Sequence, residues 1–343
     1  MKKQVHKSRV FIIAELSANH GQKIEVAIET IRAAKRAGAD SIKLQTYTAD
    51  TLTIDCDNEY FSQVLEGTIW EGRKLYDLYR EAYTPWEWHE ELFQVAAQEG
   101  LLCFSTPFDK TAVDFLEQFN PPYYKIASFE IQDIPLIEYT ASKGRPMIIS
   151  TGIAELEDIE LAVQTCRNAG NENITLLKCT SSYPAPIEEA NLLTLPDLKK
   201  RFGVEVGLSD HTTGIVAPVV AVALGAKVIE KHFILDKSIG GPDASFSLDE
   251  KEFTAMVAAV RQAEKALGKP TYELTEKAKD NRKFSRSLFA VKDIKAGELF
   301  TEQNVRSIRP GYGLHPRYLK EVIGKKAKVD IVVGTPLRVS HWE

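Results

Sequence analysis

The sequence predicts an α/β protein, a (β/α)8 TIM barrel followed by a small, β-rich C-terminal domain. Three observations predict it. Apolar strand-like runs alternate with helical patterns as far as about residue 235, the pattern of a parallel sheet built from βα units. The runs number eight, as a closed barrel requires. Beyond Gly268, Lys269 and Pro270 the pattern breaks into short β-like runs with frequent turns. An open doubly wound sheet is the alternative, but no GxGxxG follows the first run.

In order, the strands are RVFIIAEL, DSIKLQTY, LLCFSTP, YYKIAS, PMIIST, ITLLKCT, VEVGLS and AKVIEKHF. Between them lie helical patterns in IEVAIETIRAAKRAG, WEWHEELFQVAAQEG, TAVDFLEQF, IPLIEYTASKG, ELEDIELAVQTCRNAG and GIVAPVVAVALG. Several end in glycine, a common helix terminator. The predicted limits are 1–270 for the barrel, 271–284 for a linker and 285–343 for the small domain. The last is a compact, loop-rich unit of about 60 residues.

The 343 residues are 44% hydrophobic and 27% charged, with a net charge of −5. That is an ordinary globular composition, without the basic excess of a nucleic-acid or membrane-surface binder. Cys56, Cys103, Cys166 and Cys179 are scattered, as expected of reduced thiols in a cytoplasmic protein. The basic start MKKQVHKS precedes an apolar run too short for a signal-peptide core. No segment is long enough to span a membrane.

The strand ends carry the chemistry. In order they deliver Glu15, Lys43 with Gln45, Thr106, Lys125 with Ser128, Ser150, Ser181 with Tyr183, Ser209 with His211, and Glu230 with His232. Residues two apart on a strand share a face, so both imidazoles are expected to converge at the barrel's C-terminal end, where barrel enzymes place their sites. Two imidazoles and a carboxylate can hold a divalent metal with open positions. Taken alone, the pair is equally compatible with two separate polar residues where strands meet solvent. A single serine here reads equally as a helix cap. Lys43 and Lys125 lie inside apolar strands, where lysine is rare without a partner or a purpose. Two such lysines at neighbouring strand ends, with hydroxyls nearby, describe a site for a phosphate-bearing anion. The competing explanation is structural pairing with Glu15 or Glu230.

Residues 48–86 form an unusually long connection, rich in aromatics, with a short helical pattern around Leu75 to Tyr83. Connections of this length commonly act as lids or pocket walls, and an aromatic wall suits a substrate with apolar patches, such as a deoxy sugar. A plain covering helix is the simpler reading. In the tail, RPGYGLHP reads as an exposed loop with one arginine, Arg309, between turn formers.

Taken in order, FIIAELSANH, IKLQTYT, FSTPF, YKIASFE, IISTGIA, LKCTSSYPAP, GLSDHT, ALGAKVIEKHF, GPDASFSLDEKEF, DIKAGE and RPGYGLHP resemble the sialic acid synthase family, and within it the pseudaminate-forming branch. The resemblance covers essentially the whole chain. It implies that the small domain is of the antifreeze-like (SAF) type and that the protein is a domain-swapped homodimer. It also implies a transferase that condenses phosphoenolpyruvate with the open-chain aldehyde of an acylamino sugar, releasing phosphate by C–O cleavage. The sugar is then 2,4-diacetamido-2,4,6-trideoxy-β-L-altropyranose and the product pseudaminic acid. Ser181 in CTSSYP, where neuraminate-forming relatives carry Asn, points the same way.

The resemblance further implies that His211 and His232 bind a divalent cation (Mn, Mg or Co). Lys43, Thr106, Lys125, Ser128, Ser150 and Ser209 would hold phosphoenolpyruvate, with Gln45 and Tyr183 lining the site. Glu15 and Glu230 become the catalytic carboxylates. Asp243 touches sugar hydroxyls, and Arg309 reaches the partner subunit's site. The alternatives are an N-acetylneuraminate or legionaminate synthase with the same chemistry, and a non-catalytic binding protein on a retained barrel. The latter would be marked by loss of a strand-end lysine or histidine, and none is lost.

Overall fold

The computed structural model describes residues 9–61 and 69–342. The basic first eight residues and residues 62–68 of the long connection lie outside the described residues. The chain divides into two compact units between Gly268 and Lys269.

In the first unit, strands β1 (Phe11–Glu15), β2 (Ser41–Thr46), β3 (Leu102–Pro107), β4 (Tyr124–Ile126), β5 (Met147–Ser150), β6 (Ile174–Cys179), β7 (Glu205–Asp210) and β8 (Val228–His232) close into a barrel in chain order. Neighbours are parallel, and β8 pairs back onto β1. The helices are α1 (Ile24–Arg36), α2 (Ala49–Leu52), α3 (Leu75–Ala82), α4 (His89–Gln98), α5 (Lys110–Glu117), α6 (Ile134–Ala141), α7 (Leu156–Asn168), α8 (Thr194–Phe202), α9 (Val216–Ala223) and α10 (Glu250–Leu267).

The period of two along each strand sorts side chains into two cores. Ile12, Ala14, Ile42 and Leu44 face outward and join helix residues such as Ala27, Ile31 and Ala34 in the large core. Ile13, Phe104, Ile148, Leu177 and Val228 face inward and form a separate apolar plug inside the barrel. β7 contributes Gly207 at this level, where an added Cβ would overlap the Val228 carbonyl. Two residues further along the same strands, the inward positions become Glu15, Thr106, Ser150, Cys179, Ser209 and Glu230. The barrel is therefore apolar at its base and polar above it.

The sequence reading passed over α8, whose TLPDLKKRF contains a proline. Pro196 falls in the first turn, where a helix needs no N–H from it. Leu195, Leu198 and Phe202 are buried, and Gly203 ends the helix at φ 68° in the left-handed region. No helix among the described residues is long and apolar enough to cross a membrane.

In the second unit, strands β9 (Ser287–Ala290) and β10 (Val305–Ile308) pair antiparallel, over a core that includes Leu288, Ile294, Phe300, Val305 and Leu337. Its RPGYGLHP loop is more than an ordinary turn. Ser287 Oγ donates to the Pro310 carbonyl at 2.7 Å and accepts from Gly313 N at 2.8 Å. A Cβ at Gly313 would overlap the Leu288 carbonyl, so the loop is pinned to β9, with Arg309 and Tyr312 exposed.

Candidate active site

One cavity of about 390 Å³ opens at the C-terminal ends of the strands. Glu15, Lys43, Gln45, Lys125, Ser128, Ser150, Tyr183, Ser209, His211, Glu230, His232 and Asp243 all line it. A larger groove of about 800 Å³ runs along α4 and α5, but it is aromatic-walled and has no convergent set of charged groups.

Strand register builds the floor. Glu15 stands opposite Lys43 on β2 and opposite His232 on β8, and Ser209 stands opposite Glu230. Lys43 Nζ donates to Glu15 Oε1 at 2.7 Å and to Thr106 Oγ1 at 3.2 Å, and lies 3.5 Å from Glu230 Oε2. Gln45 Nε2 donates to the same Glu15 oxygen at 2.9 Å. Lys125 lies 3.4 Å from Glu230 Oε1, which also accepts from Ser209 Oγ at 2.9 Å. The two lysines are not on neighbouring strands as the sequence reading had it. They project from β2 and β4, and Glu230 bridges them from across the barrel. The expected anion site and the competing Lys–Glu pairing therefore coincide: the lysines that face the cavity are paired with its carboxylates.

Burial pushes the Glu15 carboxyl up, but Lys43, His232 and Lys125 outweigh it and hold the group well below the usual carboxylate range. Lys43 is likewise depressed by burial, yet Glu15 and Glu230 carry it above its ordinary value. Lys125 ends below its ordinary value because burial dominates. Two buried atoms here, Glu230 Oε2 and Ser150 Oγ, have no hydrogen-bond partner. Buried polar atoms are rarely left so, and both face space a ligand can fill.

The two imidazoles sit 5.3 Å apart between ring centroids. His211 Nδ1 faces the Thr180 carbonyl at 3.0 Å. A carbonyl only accepts, so Nδ1 carries the proton and Nε2 keeps its lone pair. Burial lowers the His211 pKa to about 4, with His232 adding to the effect. His232 is raised: burial opposes its charge, but Glu15 at 3.4 Å and Asp243 at 3.5 Å prevail. The Asp243 distance makes that contact, through His232 Nδ1, ionic rather than a hydrogen bond. Among the described residues no group of three His, Cys, Asp or Glu forms a metal-ligand set.

Three residues singled out from sequence stand apart from the lining. Thr106 lies behind Lys43 and holds its ammonium. Ser181 lies behind Ser128, with their hydroxyls 2.7 Å apart, and Ser128 Oγ also accepts from Ile153 N at 3.0 Å. Arg309 belongs to the second unit. Asp243 is held by Ser17, whose φ of 48° turns its hydroxyl onto the carboxylate.

Sequence reasoning missed Glu130. It lines the cavity just after Ser128, its Oε2 has no partner, and burial raises its pKa to about 7. The only signal was its place beside a strand-end serine in YKIASFE. The apolar wall drawn from the long connection, described below, was seen only in outline.

The family model described as NeuB family matches residues 30–272, and that of the SAF domain matches residues 285–341. The chain is similar to the pseudaminic acid synthase of Campylobacter jejuni, at 54% identity over 97% of each chain. It is 35% identical to the N,N'-diacetyllegionaminic acid synthase of Legionella pneumophila, over 97% of this chain and 94% of that one. Among solved structures it is similar to the spore coat polysaccharide biosynthesis protein SpsE of Bacillus subtilis. That likeness has a TM-score of 0.66 and 36% identity, covering 98% of this chain and 95% of the other. A family match through most of the barrel, with relatives aligned over nearly the full length, leaves one assignment: the chain belongs to the NeuB family and carries a SAF domain behind its barrel.

Proposed function

We propose that the protein is a pseudaminic acid synthase, condensing phosphoenolpyruvate with the open-chain aldehyde of 2,4-diacetamido-2,4,6-trideoxy-β-L-altropyranose and releasing phosphate. The observation that carries this reading is the floor of the cavity, where two buried lysines and two imidazoles converge on one space. The greater likeness to a pseudaminate-forming relative, 54% against 35% for a legionaminate-forming one, favours the altrose substrate.

Lys43 and Lys125 hold the phosphate and carboxylate of phosphoenolpyruvate, with Ser128, Ser150 and Ser209 supplying hydroxyl donors and Thr106 fixing the Lys43 ammonium from behind. In a site closed from water such charges count for more than in bulk. C3 of the enol attacks the sugar aldehyde, water adds at C2, and the C2–O bond to phosphate breaks. Glu15, kept anionic between Lys43 and His232, orients that water, and the proton the water gives up balances the alkoxide formed on the former aldehyde carbon. Glu230, bound to Ser209 and both lysines, is the second carboxylate, near the aldehyde end. Gln45 fixes Glu15, Tyr183 lines the sugar's side, and Asp243 meets sugar hydroxyls.

His211 and His232 fit a divalent cation such as Mn, Mg or Co, since His211 keeps its Nε2 lone pair free and His232 Nδ1 makes no hydrogen bond. When bound, such a cation supplies Lewis-acid polarisation of the aldehyde oxygen. Arg309, on its pinned loop, contacts an acylamino group in the partner subunit's site of a domain-swapped homodimer in the cytoplasm.

The test is phosphate release with product identification, using phosphoenolpyruvate and each candidate sugar. Turnover of N-acetylmannosamine in place of the altrose sugar would sink the proposal. For the swapped arrangement, mixed dimers of Arg309→Ala and Lys43→Ala subunits should retain one working site, and dead heterodimers from folded parents count against it.

A further inference from the structure

We infer that helix α3 is the specificity wall of the cavity, selecting a methyl group over a hydroxymethyl group at the sugar's terminal carbon. This rests on the proposed function for the sugar's identity, and on the following geometry for the wall. Leu75, Leu78, Tyr79 and Ala82 recur at i, i+3, i+4 and i+7, one stripe of a helix, and all four line the cavity. In a barrel helix such a stripe packs on the sheet. In α3 it faces the space above the lysines and histidines instead. The opposite face carries Tyr76, Asp77, Arg80 and Glu81, with Tyr76 donating to Asp50 at 3.0 Å. The orientation is therefore the one its amphipathic pattern dictates.

The flanking residues extend the apolar surface. Leu52 of α2 and Phe108 line the same side, and Tyr47 packs edge-on against both Tyr79 and Phe108, with centroids 5.9 and 5.1 Å away. Trp70 donates its indole N–H to the Pro242 carbonyl at 2.9 Å, so it offers the cavity a ring and no donor. The cavity thus has two chemistries facing each other, charged at the floor and aliphatic or aromatic at the wall. A ligand that matches both is anionic or polar at its reacting end and methyl-terminated at the other. A hydroxyl placed against Leu75 and Leu78 would lose water and gain no partner. Discrimination of this kind by an apolar pocket is about 10- to 100-fold.

The experiment compares kcat/KM for the 6-deoxy sugar and its 6-hydroxy counterpart on the same enzyme preparation, so that the active fraction cancels. Wild type should favour the deoxy sugar by about tenfold or more. Leu75→Asn should move that ratio toward the hydroxylated sugar by about tenfold, and Leu52→Asn, on a different helix, serves if the first variant does not fold. Arg80→Ala, on the solvent face, should leave the ratio unchanged. Phosphate release with the deoxy sugar but a ratio that neither wall variant moves overturns the wall alone. Turnover of neither altrose sugar overturns the proposed function and the wall with it.

Discussion

Lys231 and Asp210 form a buried ion pair directly behind the two histidines. They stand opposite each other on β8 and β7, and alternate with the cavity-lining Glu230, His232, Ser209 and His211. Lys231 Nζ also donates to the Thr212 carbonyl, while Asp210 Oδ1 accepts from Thr212 N at 3.0 Å and Thr212 Oγ1 at 2.8 Å. The pair ties both strand ends to the loop that follows His211. Removing one partner leaves the other charged in a dry site, so Lys231→Met should cost about 3–5 kcal/mol. Replacing both, as Lys231→Met with Asp210→Leu, should recover part of that loss in denaturant melts. A single variant as stable as wild type would contradict the clamp.

Gly152→Ala should impair turnover while the barrel still folds. A Cβ there would overlap the hydroxyls of Ser128 and Ser181, which are mutually bonded and which place Ser128 in the cavity wall. We expect KM for phosphoenolpyruvate to rise by at least about tenfold, a lost hydrogen bond to an anion being worth ~1.5–3 kcal/mol. Circular dichroism should be unchanged, and unaltered steady-state kinetics would remove Ser128 from the anion site.

The pH dependence of stability should carry the mark of His89. Its Nδ1 donates to the Pro85 carbonyl at 3.2 Å, and Nε2 accepts from Thr46 Oγ1 at 2.7 Å. A second proton has nowhere to go, and burial lowers the pKa to about 4. The unfolded chain takes that proton near 6.5. Stability from this group is therefore present above about pH 6.5 and is lost as pH falls toward 4. Glu130 works in the opposite sense, since burial keeps it protonated up to about 7, and its contribution fades as pH rises through that value. Comparing wild type with His89→Gln isolates the histidine: around pH 5 the wild-type slope should be steeper by about 1.4 kcal/mol per pH unit. Parallel stability profiles in urea melts would refute the assignment.

Chelation of divalent metal should abolish phosphate release, and re-addition should restore it. His211→Ala should stay silent under re-addition while still folding, since the ring makes one hydrogen bond to backbone, a weak contact to Cys179 Sγ, and packing against Tyr183, His232 and Phe246. Full activity of that variant after chelator treatment would overturn the two-imidazole site.

Much of this was legible in the sequence because strand alternation is strict. Once a run is read as a strand, Ser209 must share a face with His211, and Glu230 with His232. What alternation cannot supply is distance across the barrel. Lys43 and Lys125 look like neighbours along the chain of strand ends, yet β3 separates them and Glu230, contributed by β8, is what joins them. Glu130 escaped notice for a related reason: it sits in a turn without periodicity, and its burial is decided by elements far away in sequence. The stripe on α3 was readable as a helix, but no local pattern says whether such a face turns to a core or to a cavity.

The apolar plug of Ile13, Phe104, Ile148, Leu177 and Val228 makes the barrel a blind well. With its base sealed by that cluster, depth in the well translates into order in time. In the proposed reaction the molecule held by Lys43 and Lys125 would lie beneath the one resting against α3, so the expected order is lower guest first in and last out.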